Sequence, residues 1–277
     1  MQTHQKLLNS INQFTAALST YLFIERCRIC DVFIHSDSAN AAICRRCLSR
    51  LVQEPIVSEF PIDDQNLLQV TSATTYDARM KTLIYKLKYD GDQLIARDLA
   101  TLMKPALTQI IAAHNTGTND RENRNRLVLL PIPLSRWRSM QRGFNQSTII
   151  AKELGSTFGL QTNNRFLKRP KHTKPQHDLR KSDRNSNLID AFACSNKRKE
   201  SPSRDDSLIL LDDICTSGAT LVEAAKALRH YGFKNIQAVT ASRALLDLDK
   251  SKGLTRLHPS GRFVDSSNKP LLRHNIS

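Results

Sequence analysis

Residues 208–220 read Leu208-Ile209-Leu210-Leu211-Asp212-Asp213-Ile214-Cys215-Thr216-Ser217-Gly218-Ala219-Thr220. Four successive apolar residues have the pattern of a strand buried on both faces, as in a parallel sheet. Two adjacent carboxylates stand at its C-terminal end. A run of small residues then opens a helix over Leu221–Tyr231, which Gly232 stops. A second strand follows at about Asn235–Ala241. This βαβ unit predicts an α/β fold whose ligand chemistry sits at the carboxyl ends of parallel strands.

Each residue type in the loop has a physical use. Cys215, Thr216, Ser217, Gly218, Ala219 and Thr220 are small enough for backbone N–H groups to wrap a phosphate. Gly218 allows close approach without a Cβ, and the hydroxyls add donors. Asp212 and Asp213 can accept hydrogen bonds from two neighbouring ribose hydroxyls, or hold hydrated Mg²⁺. Two carboxylates at a buried strand end are costly without a partner, which argues against an ordinary acidic cap. No Gly-Lys-Ser/Thr occurs, so the segment is not a Walker A loop, and the Gly-x-Gly-x-x-Gly fingerprint is absent too.

Working outward, Leu127–Pro131 is a short strand that stops at Pro131-Ile132-Pro133. Leu134–Gln146 reads as a compact basic loop holding Arg136, Arg138, Arg142 and Gly143, followed by a helix from about Gln146 to Phe158. A helix N-terminus after such a loop favours an anion. Upstream, Met80, Leu83, Ile84 and Leu87 form one helical stripe with Asp77 as N-cap and Gly91 as stop. A further helix covers about Gln93–Ala113. Leu51–Thr75 reads as a linker ending in a short strand.

Near the N-terminus, Cys27-x-x-Cys30 and Cys44-x-x-Cys47 are separated by thirteen residues. Two such knuckles can aim four thiolates at one tetrahedral ion, and structural Zn²⁺ is the first reading. An iron–sulfur cluster or a pair of disulfides are the alternatives. Residues 31–43 carry too little apolar mass for a core, so metal would supply folding energy. Leu7, Leu8, Ile11, Phe14, Leu18, Leu22 and Phe23 recur at helical spacing before this module.

The 277 residues carry 41 Lys+Arg against 26 Asp+Glu, a net charge of +15 that asks for a polyanionic partner. Eight basic residues fall within Arg165–Arg184: Arg165, Lys168, Arg169, Lys171, Lys174, Arg180, Lys181 and Arg184. No apolar run approaches the roughly 18 residues of a membrane span. Leu7–Ile24 lacks a basic flank and a small-residue cleavage site, so a cytoplasmic location is expected.

The loop at Asp212–Thr220 closely resembles the phosphoribosyl pyrophosphate (PRPP) loop of type I phosphoribosyltransferases. The order of motifs narrows the resemblance. Two Cys-x-x-Cys pairs precede Tyr76-Asp77, Leu83-Ile84 with Lys88, and Pro131-Ile132-Pro133. Arg142-Gly143-Phe144-Asn145-Gln146, Gln176, Arg184 with Asn187, and the acidic loop follow. This order is similar to that of the bacterial competence protein F family with its GntX-like members, over about Cys27–Arg243. The resemblance implies an α/β, parallel-sheet phosphoribosyltransferase-like domain at 56–243. Before it, the periodic N-terminal helix and the four-cysteine zinc module occupy 1–55; beyond the resemblance, 244–277 is polar, carries Pro259 and Pro270, lacks periodicity and is expected to be mostly disordered. The resemblance implies that Asp212 and Asp213 contact the ribose and that the following loop holds the 5-phosphate. Arg136–Phe144 would then lie in the pyrophosphate loop, and Arg165–Arg184 in a flexible loop closing over PRPP with Mg²⁺. It further implies a role in natural transformation, with incoming single-stranded DNA and other DNA uptake proteins as partners. The alternative is a catalytic phosphoribosyltransferase acting on an unidentified acceptor. For such an enzyme a base-binding hood is missing, unless the zinc module serves, and no side chain stands out as a general base. Phe144, Trp137, Tyr85 and Tyr89 are available to stack on bases, although core packing is the plainer role for aromatics.

Overall fold

The computed structural model describes residues 25–34, 41–116, 126–170, 191–197 and 201–244, and the backbone of two two-residue strands at Arg256–Leu257 and Phe263–Val264. The expected N-terminal helix lies outside the described residues. So do Gln176, Arg184, Asn187 and the basic segment beyond 170, and most of the expected tail.

A six-stranded sheet organises the chain. Its strands are β1 (Ile56–Pro61), β2 (Leu67–Thr75), β3 (Leu127–Pro131), β4 (Gln161–Thr162), β7 (Ser207–Cys215) and β8 (Ile236–Arg243). They lie in the order β1-β2-β8-β7-β3-β4, and every pairing except the β1–β2 hairpin is parallel. Two short strands, β5 (Leu167–Lys168) and β6 (Ala193–Cys194), pair separately.

Helices cover both faces, as a parallel sheet requires. On one face lie α2 (Ala78–Tyr85, continued by a π-helical turn Lys86–Asp90), α3 (Leu94–Thr116) and α5 (Gln146–Phe158). Their buried residues, among them Met80, Leu83, Leu87, Leu99 and Ile150, form one core with Ile209 and Leu211 of β7. The cysteine module, with its short helix α1 (Arg45–Ser49), belongs to this core through Cys27, Ala42, Ile43 and Cys47. On the other face α6 (Ala219–His230) packs Leu221, Ala224 and Leu228 against Leu208 and Leu210, beside Phe166 and Phe233.

Capping places the helices as the sequence predicts. Asp77 caps α2 by accepting from the Met80 N–H, at 2.9 Å, and Gly91 ends the π turn at φ +73°. Three expectations need correction. The presumed linker 51–75 contains the β1–β2 hairpin. Its period-2 pattern is hidden because buried positions are polar: Ser72 and Thr240 share a hydrogen bond of 2.7 Å between β2 and β8. The basic loop 134–146 is in part a helix, α4 (Arg136–Arg142), capped by the Ser135 hydroxyl and closed by Gly143 at φ +73°. It buries no residue, so no apolar stripe announced it. Finally, β7 does not stop at Leu211. Pairing with β8 carries it to Cys215, so the acidic pair lies within the strand.

Candidate functional site

Strand β3 ends beside Leu211 of the parallel β7, which runs on to Cys215, and the N-termini of α5 and α6 meet this edge. Asn145 fixes the first junction. Its side chain caps α5 by accepting from the Ser147 N–H at 3.1 Å, and its amide donates to the Ile132 carbonyl at 3.0 Å. The motif Arg142–Gln146 is therefore the hinge between α4 and α5. Gly218 fixes the second junction as the N-cap of α6, at φ +76°. A Cβ there would sit 2.6 Å from the Phe60 ring, so both backbone sign and space demand glycine. Arg243, at the end of β8, braces the loop by donating to the carbonyls of Cys215 and Thr216 while its guanidinium lies 5.2 Å from the Phe60 centroid. Thr216 and Ser217 face solvent beyond this brace.

The acidic pair is unequally partnered. Asp213 is buried, and its Oδ2 forms an ion pair of 2.7 Å with Lys88 of the π turn. Asp212 accepts two bonds, both on Oδ1: from the Ser147 hydroxyl and from the Asp213 N–H, each at 2.9 Å. Oδ2 is left as an acceptor for a ligand. Burial first, and then the neighbouring Asp213 charge, push the Asp212 carboxyl up to about 7, against the pull of Lys88. The Tyr76 phenol sits in the same field: burial raises its pKa, Lys88 lowers it and Asp213 raises it.

Guanidinium groups crowd the other side. Burial and the repulsion of Arg142 lower the pKa of Arg138, while Asp212 and Asp213 attract it. Arg169, stacked 5.3 Å from the Phe192 centroid, is brought down to about 10 by burial and by Arg138, against Asp212. Arg142 lies 5.4 Å over the Tyr89 ring and reaches Gln146 at 3.4 Å. Its Nε is buried without a partner among the described residues. Two carboxylates are thus set against Lys88, Arg138, Arg142 and Arg169. Cations that repel one another to this degree gain when an anion enters.

Most of the expected residues converge: Asp212, Asp213, the 215–220 loop, Arg138, Arg142 and Gly143. Arg136 is exposed on the outer side of α4. Sequence reasoning gave no individual role to Ser147, Arg243 or Phe60, and Lys88 and Arg169 entered it only as members of motifs. Their signal lies in tertiary contacts; only the position of Ser147 at the start of a helix after Pro131-Ile132-Pro133 hinted at its role. The expectation that the aromatics serve the core fails for three of them. Tyr85 and Tyr89, with ring centroids 4.9 Å apart, and Trp137 are half or more exposed beside the arginines, at 58, 51 and 50%. Phe144 alone packs against the core.

The four module cysteines bring their sulfur atoms within 4.8 Å of one another. The Cys44 N–H points at Cys27 Sγ, at 3.4 Å, and Asp31 adopts φ +58° in the first knuckle. Backbone donors aimed at sulfur stabilise thiolate, so the donor set fits Zn²⁺ and leaves no open position for catalysis. The knuckle is tied to α3. Asp98 Oδ2 accepts from the Ala42 and Ile43 N–H groups at 2.9 and 2.8 Å, and Arg28 pairs with Asp92 at 2.6 Å. Cys194 and Cys215 stand apart from the cluster, as expected.

Comparison with known proteins agrees with this geometry. The phosphoribosyl transferase domain model matches residues 104–257. Competence protein F of Haemophilus influenzae is 31% identical over 169 residues, covering 61% of this chain and 70% of that protein. DNA utilization protein YhgH of Salmonella typhimurium is 28% identical over 177 residues, 64% of this chain and 73% of that protein. Competence protein ComFC of Bacillus subtilis is 28% identical over 177 residues, with 61 and 62% covered. With an acidic pair and a glycine-capped helix at the carboxyl edge of a mostly parallel sheet, and a four-cysteine cluster before it, the chain belongs to the phosphoribosyl transferase domain family, alongside competence protein F.

Proposed function

We propose that this chain is a PRPP-binding, zinc-containing protein of DNA uptake that handles single-stranded DNA in the cytoplasm. One observation carries the ligand: Asp212 keeps a free acceptor oxygen between the N-terminus of α6 and a cluster of mutually repelling arginines. Ribose hydroxyls suit Asp212, the 5-phosphate suits the 216–220 N–H groups, and the pyrophosphate suits Arg138, Arg142 and Arg169. Mg²⁺ carried by PRPP would supply further neutralisation of the pyrophosphate charge. Relatives named for competence and DNA utilization support the pathway.

The DNA reading draws on the surface next to this cleft. Exposed Tyr89 lies under Arg142 and against exposed Tyr85, exposed Trp137 follows Arg136 on α4, and bases stack on aromatic rings without sequence preference. Binding of PRPP with Mg²⁺, measured by calorimetry, is expected for the wild type and lost in Asp212→Asn/Asp213→Asn. Equal binding by both proteins would remove the carboxylates from the site. A fluorescent oligonucleotide should bind with log K falling about 4 units per decade of salt if about six phosphates are contacted. A flat salt response would sink the DNA role. It would leave catalytic transfer to an acceptor, which pyrophosphate release across an acceptor panel would detect.

A further inference from the structure

At the opposite end of the sheet, a cavity of about 400 Å³ opens where the strands begin, beside Leu127 of β3, Ser207 of β7 and Ile236 of β8. The C-terminal ends of α3 and α6 reach it from the two faces, bringing His114 and Arg229. Its inner wall is apolar, made by Ile110, Leu208, Ile209 and Ile236, all buried.

Three buried polar atoms along this one cavity have no hydrogen-bond partner among the described residues: His114 Nδ1, Arg229 Nε and Gln237 Oε1. Such atoms are rare in folded proteins, and each has a cost unless something satisfies it. Three of them around one opening are a pattern, not a scatter of isolated defects. Their chemistry is complementary rather than uniform. Arg229 Nε–H only donates, Gln237 Oε1 only accepts, and His114 Nδ1 does either. Arg229 is otherwise held by one long bond, from Nη2 to the Lys234 carbonyl at 3.5 Å. Lys234 itself lines the mouth, and no Asp or Glu does. Asp63, whose charge reaches Arg229, uses its Oδ1 on Gln65 and Asn66 of its own turn.

We propose that this cavity is a second ligand site, for a small anion with a flat or apolar body and an N–H or O–H donor, of which a nucleoside monophosphate is the representative. The anion meets Arg229 and Lys234, the donor meets Gln237 Oε1, and the body lies on the isoleucine and leucine wall. The volume is that of a small-molecule pocket. Strand β7 runs from Ser207 at this cavity to Cys215 at the acidic site, roughly 26 Å at about 3.3 Å per residue. The two sites are therefore separate.

Calorimetry on the full chain with AMP, GMP, CMP and UMP, each with and without saturating PRPP and Mg²⁺, tests the site, with inorganic phosphate as the bare anion. At least one nucleotide should bind more tightly than about 1 mM, indifferent to PRPP. Gln237→Leu and Arg229→Met should each weaken it at least tenfold. The thermal midpoint of ligand-free Gln237→Leu should be no lower than that of wild type, because an unpaired buried oxygen has been replaced by an apolar group of similar size. Four results would each overturn the proposal. They are no nucleotide binding tighter than about 1 mM, binding that PRPP displaces and both variants retain, inorganic phosphate binding as tightly as any nucleotide, or a lower midpoint for Gln237→Leu. The last would mean that the chain itself satisfies the oxygen.

Discussion

Asp98 and Asp212 are both carboxylates drawn out of water, and they are treated differently. Asp98 lies near the N-terminal end of α3 and turns one oxygen to two backbone N–H groups of the cysteine knuckle. Burial raises its pKa to about 6, against the pull of those donors. Every group in that arrangement belongs to the chain, and what it achieves is attachment: a knuckle too poor in apolar mass to stand alone is fastened to a helix. Asp212 has a neighbour of its own sign, shares Lys88 with it, and keeps one oxygen unused. Burial, and after it mutual repulsion, lowers the pKa values of the surrounding Arg138 and Arg169, while Asp212 attracts both. The Asp98 latch takes both of its N–H partners from the chain itself. The Asp212 region is left incomplete at a cost, which is what the proposed PRPP site requires.

The largest effect should come from removing the ion that the knuckle is built to hold. Structural Zn²⁺ in small modules is worth on the order of 10 kcal/mol. Elemental analysis of protein purified without added metal should find one zinc per chain, and Cys44→Ser should lose it. Because Cys27, Ala42, Ile43 and Cys47 share a core with α2 and α3, the loss should lower the thermal midpoint of the whole domain. Iron in place of zinc would overturn the assignment, and an unchanged midpoint would show that the knuckle contributes nothing to the domain. A smaller effect is expected at the latch. Asp98→Ala strands two buried N–H groups at about 1–3 kcal/mol each, giving a destabilisation of about 2–6 kcal/mol in denaturant unfolding. Asp98→Asn keeps an acceptor oxygen and should recover part of it. If Ala and Asn behave alike, the two N–H bonds are not what holds the knuckle.

Legibility in the sequence follows the same division. The strand at Leu208–Leu211, the caps at Asp77 and Gly91 and the cysteine spacing are local patterns, and local patterns survive in one dimension. The partners of the acidic pair do not. Lys88 sits on a π turn 125 residues before Asp213, and nothing in Lys86–Asp90 distinguishes it from a solvated basic face. The hairpin at 56–75 was hidden for a related reason: Ser58, Thr71, Ser72 and Thr74 are buried polar residues, three of them bonded to β8 through Arg243, Thr240 and Ala241, so the hydrophobic alternation that marks a strand is missing. Helix α4 escaped because it buries nothing: its two apolar residues, Trp137 and Met140, are exposed and form no buried stripe. What the chain arranges between distant segments, it arranges without a local signature.

The smallest expected effect separates the two carboxylate regions most directly. The folded pKa of Asp212, about 7, stands above the value of about 3.9 that an unfolded chain gives it. Between those values the folded protein binds more protons than the unfolded one, so this carboxyl lends stability that is fully present below about pH 4 and is lost as pH rises through about 7. The slope from a single group is at most about 1.4 kcal/mol per pH unit, and Asp213, Lys88, Arg138 and Arg169 share in setting it. Asp212→Asn removes the titration while keeping an oxygen toward Ser147. Its stability, measured by urea unfolding from pH 5 to 8, should therefore fall less with pH than that of wild type, with the variant relatively more stable at pH 8. A ligand that needs the ionised carboxylate turns the same energy to use. PRPP with Mg²⁺ should bind wild type more tightly at pH 8 than at pH 6 and release protons as it binds, seen as a binding enthalpy that varies with the ionisation enthalpy of the buffer. Parallel stability profiles for wild type and Asp212→Asn would show that Asp212 titrates in the folded chain as it does in the unfolded one, and that no energy is stored there for a ligand.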